Sequence, residues 1–162
     1  MSYKIEPGNT IFALLSFEGP DPYSQAGGLG TRVHNLGEAL GKLGYETHLF
    51  FVGDPDLPHT ETLADGNYML HRWSQWISRY HPNGCYDGED GKVNDYAGSV
   101  PTYICNELGG RAEAENKTLV VMAEEWHTAD ALCYLSDLLH WNGIRDRSVL
   151  LWNANNTMSF HR

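Results

Sequence analysis

Four short apolar runs, each closed by a polar or glycine-rich cluster, set the tightest limit on how this chain can fold. They are Thr10 to Phe17, Thr47 to Val52, Thr118 to Glu124 and Ser148 to Trp152. Short, continuous apolar runs are the pattern of strands covered on both faces in a parallel sheet. Helical spacing fills the intervals. Val33, Leu36, Leu40 and Leu43 make one stripe, with Thr31 as a candidate N-cap and Gly44 as a stop. Leu132, Leu135, Leu138, Leu139 and Trp141 make another, ended by Gly143. The spacing of Met69, Leu70, Trp73, Trp76, Ile77 and Tyr80 predicts a helix up to Pro82. It places the Trp73/Trp76/Tyr80 stripe in the core rather than on a sugar-stacking surface. Residues 84–95, acidic and glycine-rich, read as a loop. Thr102 to Glu115 reads as a helix starting near Pro101, against a cost of about 2 kcal/mol for Gly109-Gly110 relative to alanine. The alternation predicts one α/β domain over residues 1–162, a Rossmann-like parallel sheet with helices on both faces.

The chain is 162 residues long, enough to bury a core without covalent staples. Eleven Lys+Arg against 21 Asp+Glu give a net charge of −10, which disfavours nucleic acid and anionic membrane surfaces as partners. No apolar run approaches the length of a membrane span, and the first residues lack a signal-peptide pattern. Cys85, Cys105 and Cys133 are scattered with no Cys-x-x-Cys pair, so neither a disulfide framework nor a thiolate zinc site is indicated. A reducing, cytoplasmic setting is the expectation. The eight histidines include no His-Glu-x-x-His, and no metal site is expected. No Gly-x-Ser-x-Gly elbow occurs either.

The polar clusters coincide with strand ends: the glycine loop after the first run, Asp54 and Asp56 after the second, Glu124 to His127 after the third, and Asn153, Asn155 and Asn156 after the fourth. Open α/β sheets bind ligands at that edge, although such loops are polar in any case. The glycines Gly27, Gly28 and Gly30 precede a helix whose first N–H groups attract a phosphate or a sugar; the alternative is a plain turn. Arg32 adds a positive charge nearby. The loop matches neither the dinucleotide fingerprint, because Val33 stands at the third small position and His48 where an acid is needed, nor a P-loop. Glu124 and Glu125 are adjacent on a strand and point to opposite faces, so at most one reaches a cleft. His127 is placed to hydrogen-bond a sugar hydroxyl or stabilise developing charge; the alternative is a loop histidine that caps a helix or packs on Trp126.

Phe12 to Gly53, FALLSFEGPDPYSQAGGLGTRVHNLGEALGKLGYETHLFFVG, resembles the opening of the GT-B glycosyltransferases of the retaining glycogen and starch synthase type. Leu36 to Thr47 is similar to the helix-to-strand segment of that family. Glu125-Trp126-His127-Thr128-Ala129 resembles its Asp-Trp-His-Thr/Ala segment, and Trp152 to Thr157 is similar to the strand and loop that follow. The resemblance implies the N-terminal, acceptor-side half of a GT-B fold, with the C-terminal donor-binding domain absent from this chain. It implies retaining transfer of a hexose from a nucleotide sugar, the donor acting as substrate with no further cofactor, to a glycan or small acceptor. Gly27, Gly28 and Gly30 would lie against the donor diphosphate and sugar. His127 would be the catalytic contact to the transferred sugar, and Glu125 and Asn155 would bind substrate. The family lysine before the glycines is replaced here by Gln25-Ala26, and Glu125 stands where Asp is usual. The chain alone is expected to have little turnover. The alternatives are a non-catalytic carbohydrate-binding or regulatory module, and a Rossmann-like nucleotide enzyme.

Overall fold

The computed structural model describes residues 4–154. In chain order the elements are β1 (Thr10–Leu15), α1 (Leu29–Lys42), β2 (Glu46–Val52), β3 (Thr60–Leu63), β4 (Tyr68–Trp73), α2 (Gln75–Ser78), α3 (Glu89–Tyr103), a π-helical stretch (Ile104–Gly109) continuing into α4 (Gly110–Ala114), β5 (Thr118–Glu124), α5 (Ala129–Trp141) and β6 (Ser148–Asn153). The strands form one sheet in the order β3-β4-β2-β1-β5-β6, parallel throughout except that β3 runs antiparallel to β4.

The alternation along each strand divides the core into two layers. Ile11, Ala13, Leu15, Phe50, Val52, Leu119, Val121 and Ala123 face α3 and α5, and Leu14, Leu49, Phe51, Tyr68 and Leu70 face α1. The sheet is thus an α/β Rossmann-like fold covered on both sides. The chain builds outward from β1 through β2 to β4, then returns to place β5 on the other side of β1. The strand order reverses between β1 and β5, and a crevice opens where the loops after these two strands diverge.

Several expectations are corrected. Residues 68–80 are not one helix: β4 takes Tyr68–Trp73, and only Gln75–Ser78 is helical. Apolar side chains at 69, 70 and 73 suit either period, and the intervening His71 and Arg72 hide the strand because they are buried polar groups. Arg72 is satisfied by Asp21, to which it donates from Nε (2.8 Å) and Nη2 (3.0 Å), and by Glu61 (2.7 Å). Trp73 therefore lies on a strand, while Trp76 and Tyr80 are 65% and 79% exposed rather than in the core. The segment read as a loop contains the start of α3, whose first turn carries Glu89 and Asp90, and Pro101 falls in that helix's interior with the π-helical stretch following it.

Helix α1 begins at Leu29, earlier than the Thr31 cap implies. Its buried residues are Gly30, Val33, Gly37 and Gly41, while Leu43 is exposed. The helix thus meets the sheet along a glycine seam beside the leucine stripe. A Cβ at Gly37 would sit 2.5 Å from the Tyr68 ring, so the seam lets α1 approach β4 closely.

Candidate functional site

The crevice at the β1/β5 switch is a cleft of about 220 Å³ lined by Glu18, Leu29, Tyr86, Glu125, Trp126 and His127. That is below the roughly 300–1,000 Å³ usual for drug-sized ligands, and suits one ring of a larger ligand. Its residues come from the loop after β1, the start of α1, the loop before α3 and the turn after β5.

The turn after β5 aims the wall. Glu125 has φ 64° and ψ 178°, a backbone region nearly restricted to glycine, which costs on the order of 1–3 kcal/mol. Neighbouring bonds hold it there. Its N–H donates to the Asn153 carbonyl (2.9 Å), its own carbonyl accepts from the Trp152 indole (2.9 Å), and the Thr128 hydroxyl donates to the Glu124 carbonyl (2.7 Å). The reversal at Glu125 turns Trp126 and His127 toward the cleft. His127 is only 7% exposed. Its ring stacks on Trp126 (centroids 3.8 Å) and on Phe17 (4.5 Å), with Tyr86 at 5.4 Å. His127 Nε2–H donates to Glu89 Oε1 at 2.6 Å, which fixes the orientation of the imidazole.

Adjacent acids take opposite roles, Glu124 as the last residue of β5 and Glu125 not on the strand but in the reversed turn after it. Glu125 lines the cleft. Glu124 is buried and receives both terminal nitrogens of Arg32 (2.7 and 3.2 Å) and the Asn153 amide (3.1 Å). The Arg32 guanidinium is raised further above its ordinary value by the Glu124 hydrogen bonds. Its charge is committed to Glu124, and among the described residues no Lys or Arg lines the cleft.

The glycine loop folds around a side chain of its own domain. Glu18, 5% exposed, directs Oε2 at three backbone N–H groups: Ala26 (3.4 Å), Gly27 (3.2 Å) and Gly30 (3.3 Å). The Tyr86 hydroxyl donates to Oε1 at 2.7 Å. Burial first, then the hydrogen bond to Glu18 and its charge, push the Tyr86 phenol far up, so it remains a donor. The loop carrying Tyr86 is tied down by Lys92, fully buried, whose Nζ donates to the Tyr23 hydroxyl (2.7 Å) and to the Gly84 (3.1 Å) and Cys85 (3.2 Å) carbonyls. Burial lowers the Lys92 pKa, with Cys85 and Asp87 opposing.

Of the residues singled out from sequence, His127 and Glu125 line the cleft; Gly27, Gly28 and Gly30 do not, although Leu29 between them does. Gly27 and Gly28 are exposed, with nothing within 4 Å of a Cβ at Gly28; Gly30 is buried, and its Cβ would lie 2.5 Å from the Gly19 carbonyl oxygen. Asn155 lies outside the described residues. Glu18, Tyr86 and Glu89 were not singled out. Glu18 ends the first apolar run, and the acidic pair at 89–90 is a helix-start signal, so both had a local trace. Their partners did not. Among the described residues no His/Cys/Asp/Glu group is arranged to hold a metal, and no helix is long and apolar enough to cross a membrane.

No family model and no curated protein matches the sequence. Among solved structures, the fold is similar to the catalytic domain of starch synthase IV from Arabidopsis thaliana bound to ADP and acarbose, with a TM-score of 0.61 and 14% identity. The similarity covers 92% of this chain and 34% of that one, so the chain spans about a third of its neighbour's length. The chain therefore has a Rossmann-type α/β fold that matches part of a GT-B starch synthase catalytic domain.

Proposed function

We propose that this chain is the N-terminal, acceptor-side half of a glycosyltransferase that moves a hexose from a nucleotide sugar to a glycan acceptor. In that reaction the bond from the anomeric carbon to the diphosphate breaks. A bond to an acceptor hydroxyl forms, the diphosphate leaves with the negative charge, and the hydroxyl proton is released. The observation that carries the reading is the wall made by His127. The imidazole lies between two aromatic rings, is oriented by Glu89, and borders a ring-sized cleft at the switch point of the sheet. Aromatic faces and fixed hydrogen-bonding groups are what a sugar's apolar C–H face and hydroxyls require. The neighbour's bound ADP and acarbose support the same ligand classes. In this reading His127 contacts the sugar, Trp126 and Tyr86 flank it, and Glu89 positions His127.

Acarbose, titrated into the isotope-labelled chain and followed by NMR, is expected to shift the Trp126 indole saturably with a Kd of about 1 mM. His127→Ala is expected to weaken binding roughly tenfold, about 1.4 kcal/mol. Absence of a saturable shift at Trp126 would count against a sugar site here.

A further inference from the structure

We propose that the pocket at the C-terminal end of β4 is a second saccharide-binding site, in which the Trp76 indole stacks on a sugar ring and Asp95 accepts its hydroxyls. The proposal takes its ligand class from the sugar reading above and its site from residues outside the cleft.

The pocket has a volume of about 260 Å³, and its lining includes Trp73, Ser74, Trp76, Asp95 and Ser99. It lies on the same edge of the sheet as the cleft, because β4 runs parallel to β2 and β2 to β1. Helix α3 serves both sites. Glu89 in its first turn holds His127, and Asp95 and Ser99 follow about 9 Å and about 15 Å further along its axis. Trp76 leaves 65% of its surface in solvent, yet the ring is held in place. Its Nε1–H donates to Asp95 Oδ1 (3.4 Å), and Gln75 beside it ties α2 to the loop after β2 by donating from Nε2 to the Asp54 (2.7 Å) and Leu57 (2.8 Å) carbonyls. An aromatic face fixed in advance packs on the C–H face of a sugar at little entropic cost. Asp95 supplies the polar partner. Its Oδ2 accepts from the buried Ser74 hydroxyl (2.8 Å). A carboxylate has roughly four lone-pair sites, so with Ser74 and Trp76 engaged it keeps acceptor capacity for sugar hydroxyls. The wall behind is braced: the Trp73 indole donates to Ser99 Oγ (2.7 Å), and the Ser99 hydroxyl donates to the Asp95 carbonyl (2.6 Å). Arg72, which also lines the pocket, spends its donors on Asp21, Glu61 and the Pro58 carbonyl. Among the described residues the pocket therefore offers no uncommitted Lys or Arg. An aromatic face beside a carboxylate, without a cation to spare, suits an uncharged polyhydroxylated ring.

The test is titration of acarbose into the isotope-labelled chain with every indole signal read together. The Trp76 and Trp73 indoles are expected to shift saturably with a common Kd of about 1 mM. Trp141, 70% exposed at the end of α5, is expected to stay still. Trp76→Ala is expected to weaken binding roughly tenfold as read at Trp73, with the Trp126 response unchanged. Trp76→Phe keeps an aromatic face and is expected to stay within about threefold of the native chain. Absence of a saturable shift at Trp76 and Trp73 overturns the proposal, as does an equal shift at Trp141. So does a Trp76→Ala chain that binds like the native one, or a Trp76→Phe chain that binds no better than Trp76→Ala. Tetramethylammonium, a cation that an aromatic face and a carboxylate can hold, is expected to give no saturable shift; a shift with it and none with acarbose overturns the sugar assignment. The two sites are separable in one sample. A response at Trp126 without one at Trp76 overturns this proposal and leaves the cleft reading standing, whereas the reverse removes the cleft reading and leaves this site.

Discussion

Single side chains here are held by partners far along the sequence, and the buried histidine pair shows what that does to stability. His48 Nδ1 and His71 Nε2 are 2.8 Å apart, and His48 Nε2–H donates to Glu46 at 2.9 Å. His71 stacks on Phe50, with centroids 4.5 Å apart. Burial, with His48 and His59 adding, lowers the His71 pKa from 6.5 to about 3. Glu46 is opposed by burial, yet hydrogen bonds from His48 and Arg111 and the Arg111 charge take it from 4.5 to about 2. For both groups the unfolded chain binds a proton that the native chain refuses. Stability is therefore complete above the unfolded pKa and is lost as pH falls, from 6.5 toward 3 for His71 and from 4.5 toward 2 for Glu46. His71 should remove about 2 kcal/mol between about pH 7 and about pH 5. Urea midpoints across that interval should fall more steeply in the native chain than in His71→Gln, and equal slopes would contradict this account.

Elements were legible where the apolar period is local and undisturbed. β1, β2, β5 and β6 fall where the four runs place them, and α1 and α5 where their stripes do. β4 was obscured by Arg72, whose burial makes sense only with its acidic partners Asp21, 51 residues away, and Glu61, 11 away. The start of α3 was obscured by glycines and acids that also suit a loop. The stripe in α1 was read as a leucine face, but the helix approaches β4 most closely at Gly37 and Gly41, while Gly30 lies against the Gly19 carbonyl in the loop after β1. Alanine would fit a helix better than glycine at Gly37, yet its Cβ would collide with the Tyr68 ring. Gly37→Ala is expected to destabilise by about 1–3 kcal/mol. Gly110→Ala, in α4 with nothing within 4 Å of the new Cβ, is expected to stabilise by about 0.5–1 kcal/mol. Denaturant midpoints of the two variants should move in opposite directions, and a shift of the same sign would mean that α1 does not ride that close to β4.

At the scale of the whole molecule, the cleft is small, about 220 Å³. Transfer requires donor and acceptor to be fixed together, and that positioning carries several kcal/mol of the barrier, on the order of 7–11 kcal/mol in well-oriented systems. If this chain supplies the acceptor-side half alone, as proposed above, it is expected to bind saccharide and transfer none. Incubation with nucleotide sugars and an oligosaccharide acceptor, followed by product analysis, should show neither elongation nor sugar release. Turnover by the 162-residue chain would remove the half-cleft reading. The outer edge of the sheet at β6 exposes Leu151 and Trp152, and the Trp152 indole nonetheless reaches back to the Glu125 carbonyl, so this edge also supports the turn that aims His127.

The amino-acid sequence alone determined the layered α/β architecture and pointed to the edge of the sheet where the candidate cleft lies, because burial on both faces leaves a local, periodic record along each strand. It also marked His127 and the glycine loop as the features to watch. Only the tertiary structure decided how they are used. Glu18 meets Tyr86 across 68 residues, Glu89 meets His127 across 38, and Arg32 meets Glu124 across 92. Such pairs have no periodicity, since a buried charge needs a partner in space rather than at any fixed spacing along the chain. The glycine loop read in the sequence as a place for a phosphate or a sugar, or as a plain turn; folding brought the Glu18 carboxylate against its amides.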